Sequence, residues 1–133
     1  MSEPSSTNEA TVIVRRGPLV APVLSAVVAM LAARANCPVD RLDDALLLAD
    51  AIAAHGPDHG TDDRIRVHVT ASPDGLELQI ADLRDGGGAA LMEAASLPGV
   101  GNVLERVADT VEIGEAPDEV RLRLAFGAGT ELA

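Results

Sequence analysis

The chain has 133 residues, a formal net charge of −11, one cysteine and one aromatic residue. This length suits a single domain with one hydrophobic core. The acidic balance argues against sequence-independent nucleic-acid binding and against docking on an anionic membrane, because both need a basic surface. A lone cysteine excludes an internal disulfide framework and is typical of a reducing compartment, so we expect a cytoplasmic protein.

The first part of the chain predicts a tail, a strand and a long apolar helix. Residues 1–9 are rich in Ser, Pro and Glu and are expected to be a disordered tail. Residues 10–15 (ATVIVR) are rich in β-branched side chains and predict a strand. After the break at Gly17-Pro18, residues 19–35 predict a helix that is apolar nearly all round. Such a helix is buried on two sides, so its second side faces either the sheet of its own chain or a partner subunit.

The same apolar run permits a second interpretation. Residues 17–33 carry no charge and follow Arg15 and Arg16, as in a signal peptide or signal anchor. The run is shorter than the roughly 20 residues that a membrane span needs. It also contains Pro22 and follows a predicted strand. We therefore expect an ordinary buried helix and no membrane association.

Residues 41–59 (RLDDALLLADAIAAHGPDH) predict an amphipathic helix followed by a Gly/Pro/His loop. Asp40 is a suitable N-cap, and Asp43 and Asp44 follow in the first turn, where the helix dipole favours negative charge. On composition alone, the carboxylates of this helix belong to a capped and solvated face. The predicted core stripe consists of Leu42, Leu46, Ala49 and Ile52.

The second half of the chain predicts two hairpins separated by a glycine-rich segment and a helix. Residues 64–71 and 76–81 alternate charged and apolar side chains around a Pro73-Asp74-Gly75 turn, which predicts a half-buried hairpin. Residues 82–96 (DLRDGGGAALMEAAS) are rich in Gly and then in Ala. Residues 98–108 predict a third helix.

Residues 110–113 and 119–126 predict the last two strands, joined by a turn at residues 116–118, and residues 127–133 a weakly structured tail. The element order is strand, helix, helix, strand, strand, glycine-rich segment, helix, strand, strand. This order indicates an α+β class over residues 10–126, with one mixed, mostly antiparallel sheet and helices on a single face.

The helix over residues 41–59 and the element order resemble the Bergerat-fold (GHKL, histidine-kinase-like) ATPases, in the branch of anti-sigma-factor serine kinases. In that branch the helix typically reads D-D-L-R-L-A-V-D-E-A-x-x-N-A-x-x-H. The positions that match without gaps are Asp43, Asp44, Leu47, Asp50 and His59. The family's catalytic Glu falls on Ala51, and its magnesium-holding Asn falls on His55. The resemblance therefore implies a retained scaffold with altered chemistry.

Two further motifs of that family are partly present. Its D-x-G-x-G motif, whose Asp accepts from the adenine amino group, aligns with residues 82–86, where Asp82 and Gly86 match and Arg84 replaces the first Gly. Its G-x-G-L phosphate motif aligns with Gly99 and Gly101. The helix ending NVLERVADTVEI, however, matches the family's ending only if the two glycines sit one residue late. A flexible segment over residues 82–96 matches the family's nucleotide lid. The resemblance thus implies an ATP or ADP site that comprises His55, His59, Asp82, Arg84, Gly86, Gly99 and Gly101.

Ordinary structural roles stay open for several of these residues. Arg84 either fills the adenine space or turns outward to meet a phosphate, and the glycine run at Gly86 is by default a linker. Gly99 either belongs to a phosphate loop or starts a helix. His55 and His59 have no third strong ligand, and magnesium prefers oxygen, so we expect no metal site and disfavour magnesium.

The resemblance implies a bacterial cytoplasmic regulator. Intact members bind a sigma factor, phosphorylate an anti-anti-sigma (STAS-type) protein on Ser or Thr, and commonly dimerise. Loss of a general base typically costs ~10²–10⁴ in rate, and loss of the magnesium ligand adds to that cost. We therefore expect a regulator that binds a sigma factor or an anti-anti-sigma protein, with little kinase activity. Its acidic charge suits a basic patch on such a partner.

Two alternatives remain. The first is an active serine/threonine kinase that uses Asp50 as the base, one position early and about 100° around the helix from the family's Glu. The second is a dimerisation module that binds neither nucleotide nor sigma factor, for which the apolar helix over residues 19–35 supplies a surface.

Overall fold

The structure is a computed structural model that describes residues 7–99, 101–115 and 118–127. The strands are β1 (Asn8–Arg15), β2 (Arg64–Ser72), β3 (Gly75–Ala81), β4 (Ser96–Leu97), β5 (Gly101–Asn102), β6 (Thr110–Glu115) and β7 (Asp118–Ala125). The helices are α1 (Val20–Arg34), α2 (Val39–His55), α3 (Gly87–Ala94) and α4 (Val103–Val107). β1 begins two residues earlier than predicted. Residues 1–6 and 128–133 of the predicted tails, and residues 116–117 of the predicted turn, lie outside the described residues.

Five strands form one sheet in the order β1-β2-β3-β7-β6, and each pair of neighbours in it is antiparallel. The two helices between β1 and β2 return the chain to the end where β1 stops, so that Arg15 pairs with Arg64. This return reverses the strand direction, whereas a parallel neighbour requires a crossover to the opposite end. The α+β class is therefore confirmed, but the predicted mixed sheet is wrong for the described strands.

One face of the sheet carries the hydrophobic core. The strand register aligns inward side chains in rows, such as Val12, Val67, Ile80 and Val120, each at most 6% exposed. α1 packs against β1 and β2, and α3 packs against β6 and β7. Buried residues of all four helices belong to the same core cluster. The helices thus cover one face, as predicted, and the other face exposes mainly polar strand residues.

The two long helices bury the side that faces the sheet. The buried positions are Val20, Leu24, Val28, Leu31 and Ala32 in α1, and Ala45, Leu48, Ala49 and Ile52 in α2. The stripe predicted for α2 was partly misplaced, because Leu42 and Leu46 are only half-buried. α2 begins at Val39, which places Asp40 inside the first turn and not at the N-cap. In the described part of the chain, no helix is both long enough and apolar enough to cross a membrane.

The segment between β3 and β6 differs most from its prediction. Residues 87–94 form α3, and the short strands β4 and β5 form a hairpin. The predicted helix over residues 98–108 is present only as α4, because Gly99 and Gly101 have φ values of 77° and 93°, which a right-handed helix does not admit. Asn102 starts α4 with a side-chain cap, its Oδ1 accepting from the Glu105 N–H at 3.1 Å.

Candidate functional site

Two loops that carry predicted site residues meet at the end of the sheet where β3 stops. Residues 56–63 follow α2, and residues 82–87 follow β3; together they are called the loop cluster. The Thr61 N–H and hydroxyl both donate to the Asp82 carbonyl at 3.0 Å. The Arg84 N–H donates to the His59 carbonyl at 2.8 Å. Hydrogen bonds to backbone carbonyls therefore bring the main chains of His59, Asp82 and Arg84 together.

The glycine run gives this surface its close packing. Gly86 has a φ of 72°, a left-handed conformation that glycine adopts without strain, and it precedes the first turn of α3. A Cβ atom on Gly87 would lie 3.0 Å from both the His59 carbonyl oxygen and the Leu83 Cβ. A side chain at position 87 would therefore require the loop cluster to shift by a few tenths of an ångström, which the absence of a Cβ avoids. The glycine run is part of this packing and not a linker.

The Arg84 side chain lies along the loop after α2. Its Nη2 donates to the Asp58 carbonyl oxygen, and the Asp58 carboxylate pairs with the Arg16 guanidinium at 2.8 Å. Arg84 is exposed, so it takes the outward orientation of the two that the sequence left open. In this structure its partner is a backbone carbonyl of the chain itself.

Asp82 has a φ of 57°, and its carboxylate lies 3.3 Å from Arg66 on the face of the sheet that the helices leave uncovered. Both side chains of this pair are 48% exposed, so the pair contributes little to stability. The two residues border a depression of about 340 Å³ on that face, lined also by Thr11, His68, Gln79 and Ala81.

The predicted site residues of α2 contact other parts of the fold than Asp82 does. Asp50 is exposed, and its carboxylate accepts a weak hydrogen bond from the Ser25 hydroxyl of α1 at 3.5 Å. Ala51 and His55 are half-buried. Within residues 7–99, 101–115 and 118–127, no three His, Cys, Asp or Glu side chains are grouped so as to hold a metal ion.

The second glycine motif does not join the first. Gly99 lies between β4 and β5, and Gly101 is the first residue of β5, in the hairpin that follows the last turn of α3. The Asn102 Nδ2 holds this hairpin to α3 by donating to the Met92 carbonyl at 2.5 Å. Gly86 lies at the opposite end of α3, whose eight residues span about 12 Å. The two motifs thus occupy different ends of one short helix.

The N-terminus of α3 is already occupied by a carboxylate of the chain. The Gly86 N–H donates to the Asp118 Oδ2 at 3.2 Å. Beside it is a depression of about 330 Å³ lined by Asp85, Gly86, Ala89, Ile113 and Asp118. A phosphate would have to displace Asp118 and would meet a second carboxylate at Asp85, so this surface favours a cationic group over an anion.

A second polar cluster, centred on Arg41, was not among the sites predicted from the sequence. This side chain is only 23% exposed; it donates to the Ala125 carbonyl at 2.8 Å and pairs with Asp44 at 2.9 Å and Asp109 at 2.5 Å. It joins the first turn of α2 to the end of β7 and to the residue before β6. The Arg41 and Asp44 spacing of three residues on a helix was a usable signal for one of these contacts.

Cys37 lies just before this cluster and is half-buried. Burial raises the pKa of the Cys37 thiol, and the nearby Arg41 charge only partly offsets the effect. A thiol with a raised pKa is a poor nucleophile at neutral pH. Cys37 therefore lacks the lowered pKa that activates a nucleophilic thiol.

No protein-family model matches the chain, and a search of curated proteins likewise finds no match. The nucleotide roles of His55, His59, Asp82, Arg84, Gly86, Gly99 and Gly101 stay predictions.

Proposed function

We propose that this protein is a divergent cytoplasmic regulator of the anti-sigma type that acts by binding other proteins and transfers little or no phosphate. The observation that carries the proposal is that Ala51 and His55 stand where the family's first motif has its catalytic Glu and its magnesium-holding Asn. Ala51 has no group that can take a proton, and His55 offers nitrogen where magnesium prefers oxygen.

The contacts of the second motif support the same proposal. Asp82, which would accept from an adenine amino group, already accepts from Arg66. The amide at the start of α3 that could meet a phosphate donates to Asp118 instead. A nucleotide would have to replace both contacts, and because both are exposed this lowers its affinity only modestly.

Partners are proposed from charge and from the resemblance. A net charge of −11 suits a basic patch on a sigma factor or on an anti-anti-sigma protein of the STAS type, and it disfavours nucleic acid and anionic membranes. The resemblance also implies a homodimer. The kinase alternative gains no support, because Asp50 is an exposed residue that bonds to Ser25 on the neighbouring helix.

Calorimetric titration with ATP and with ADP, each with and without magnesium, tests the loss of phosphate chemistry. We expect no magnesium-dependent binding at micromolar nucleotide and no phosphate transfer to a STAS-type protein. Magnesium-dependent micromolar binding by the unmodified protein, together with transfer that Asp50→Ala abolishes, would overturn the proposal in favour of the kinase.

Mixing the protein with purified sigma factors and STAS-type proteins of the same organism tests partner binding. A complex in size-exclusion chromatography that weakens as salt is raised is the expected result. Absence of a complex with every one of them at low salt counts against the regulatory function.

A further inference from the structure

The outer side of the helix layer carries an apolar surface that no described part of the chain covers. Exposed apolar side chains recur at helical spacing at Leu19, the residue before α1, and at Val23, Ala26 and Met30 of α1, and Leu47 of α2 is also exposed. Leu19, Met30 and Leu47 are 64%, 55% and 50% exposed. These five residues are called the helix-layer patch. Four of the seven large apolar side chains that the described residues expose belong to it.

The border of this patch along α2 is acidic, whereas Arg34 lies at its end on α1, four residues after Met30. Asp43 and Asp50 lie on the same exposed side of α2 as Leu47, spaced at four and three residues from it. The contact between Ser25 and Asp50 places this side of α2 next to α1. Arg41, the basic residue of the first turn of α2, turns away to bond to Ala125 and Asp109. The negative charge beside the patch is therefore not neutralised from α2.

The size of the patch favours one helix as its occupant. α1 has 15 residues and spans about 22 Å, and packed helices lie about 8–10 Å apart, so the outer side of the pair covers roughly 400 Å². A stable dimer of two folded chains buries about 800 Å² on each partner. A second copy of this chain would also bring its own carboxylates and a charge of −11 to the acidic border.

We propose that the helix-layer patch binds a single amphipathic helix of a partner protein, with Arg or Lys beside its apolar stripe. Apolar side chains of that helix, spaced at three, four and seven residues, pack on Val23, Ala26 and Met30. Its basic side chains pair with Asp43 and Asp50. This inference rests on the proposed function of a protein-binding regulator and adds the surface and the chemistry of the partner. The small area makes the association transient.

Two synthetic helical peptides of about 18 residues, or five turns, test the proposal. Both carry the same Leu/Ala stripe; one has Lys and Arg beside the stripe and the other has Glu. Fluorescence anisotropy with the full chain at low and moderate salt measures binding. We expect the basic peptide to bind and the acidic peptide to bind at least about tenfold more weakly.

Variants of the full chain locate the binding surface. Met30→Glu is expected to weaken the basic peptide at least about tenfold, as for a central apolar contact. Asp43→Asn with Asp50→Asn is expected to weaken it several-fold and to flatten its salt dependence. Ile13→Glu is the matched control, because Ile13 is 50% exposed on the uncovered face of the sheet, and it is expected to change nothing. Circular dichroism and melting temperature confirm that each variant is folded.

Equal binding of both peptides, unchanged binding by Met30→Glu, or equal losses in Met30→Glu and Ile13→Glu would overturn the proposed surface. The two proposals fail separately. If the unmodified chain binds a sigma factor or STAS-type protein and folded Met30→Glu binds it equally well, the patch is excluded and the regulatory function stands. If no such protein binds the unmodified chain, the regulatory function fails whatever the peptides do.

Discussion

Replacing Arg41 with alanine removes a contact that joins three parts of the fold. The guanidinium is 23% exposed, donates to the Ala125 carbonyl at 2.8 Å and pairs with two carboxylates, those of Asp44 and Asp109. A hydrogen bond from a charged donor contributes about 1.5–3 kcal/mol when it is buried, and the bond from Arg41 is partly exposed to solvent, so it contributes about 1–2 kcal/mol. The carboxylates are 34% and 47% exposed, so solvent reduces each ion pair to about 0.5 kcal/mol.

The expected loss for Arg41→Ala is therefore about 2–3 kcal/mol in the free energy of unfolding. The Asp109 carboxylate keeps part of its environment, because it still accepts from the Ala125 N–H at 2.6 Å. For a domain of this size, 1 kcal/mol corresponds to about 3–5 °C, so the melting temperature should fall by about 6–15 °C.

Urea unfolding followed by circular dichroism measures this difference, with Arg34→Ala as the matched control. Arg34 is an exposed arginine in the last turn of α1 and forms no ion pair with the described residues. Its removal should change stability by less than about 0.5 kcal/mol. If Arg41→Ala and Arg34→Ala lose the same small amount, the Arg41 contacts do not tie α2 to β7 in solution, and the magnitude derived from them is refuted.

Two further predictions concern the loop cluster and the thiol. Gly87→Val should destabilise the fold by about 1–3 kcal/mol, because even a Cβ at this position would lie 3.0 Å from the His59 carbonyl oxygen. Urea unfolding measures the loss, with Ala89→Val at an exposed position of the same helix as the control. Equal losses of stability in the two variants would contradict the close approach of α3 to the loop cluster. Cys37 should be alkylated by iodoacetamide more slowly in the folded protein than in urea near pH 8, because burial raises its pKa and keeps the thiol protonated. Equal alkylation rates in the folded and the urea-unfolded protein would show that the thiol is not shielded. The raised pKa also means that any stability linked to this thiol is present below its ordinary pKa and is lost as pH rises above it.

The sequence alone determined the elements whose side-chain pattern is local. The alternation over residues 64–71 and 76–81 predicted β2 and β3 within one residue at each end, and the apolar positions of β2 in that alternation, Ile65, Val67 and Val69, are buried. The apolar run over residues 19–35 likewise predicted α1. These features depend on the two-residue period of a strand and the 3.6-residue period of a helix, which act over a few neighbouring residues.

Only the tertiary structure decided which of these elements meet. The antiparallel sheet, the contacts between His59 and Arg84 and the Arg41 cluster join residues that are far apart in the chain, and no local period encodes them. The tertiary structure also decided the length of the helix predicted over residues 98–108. α4 is shorter than that prediction because Gly99 and Gly101 have positive φ values and Asn102 caps the start of the helix. The sequence showed that residues 19–35 are apolar on both sides, whereas packing against β1 and β2 decided which side became the exposed patch. A single sheet face can bury only one side of a helix, so the other side depends on what the chain packs over it.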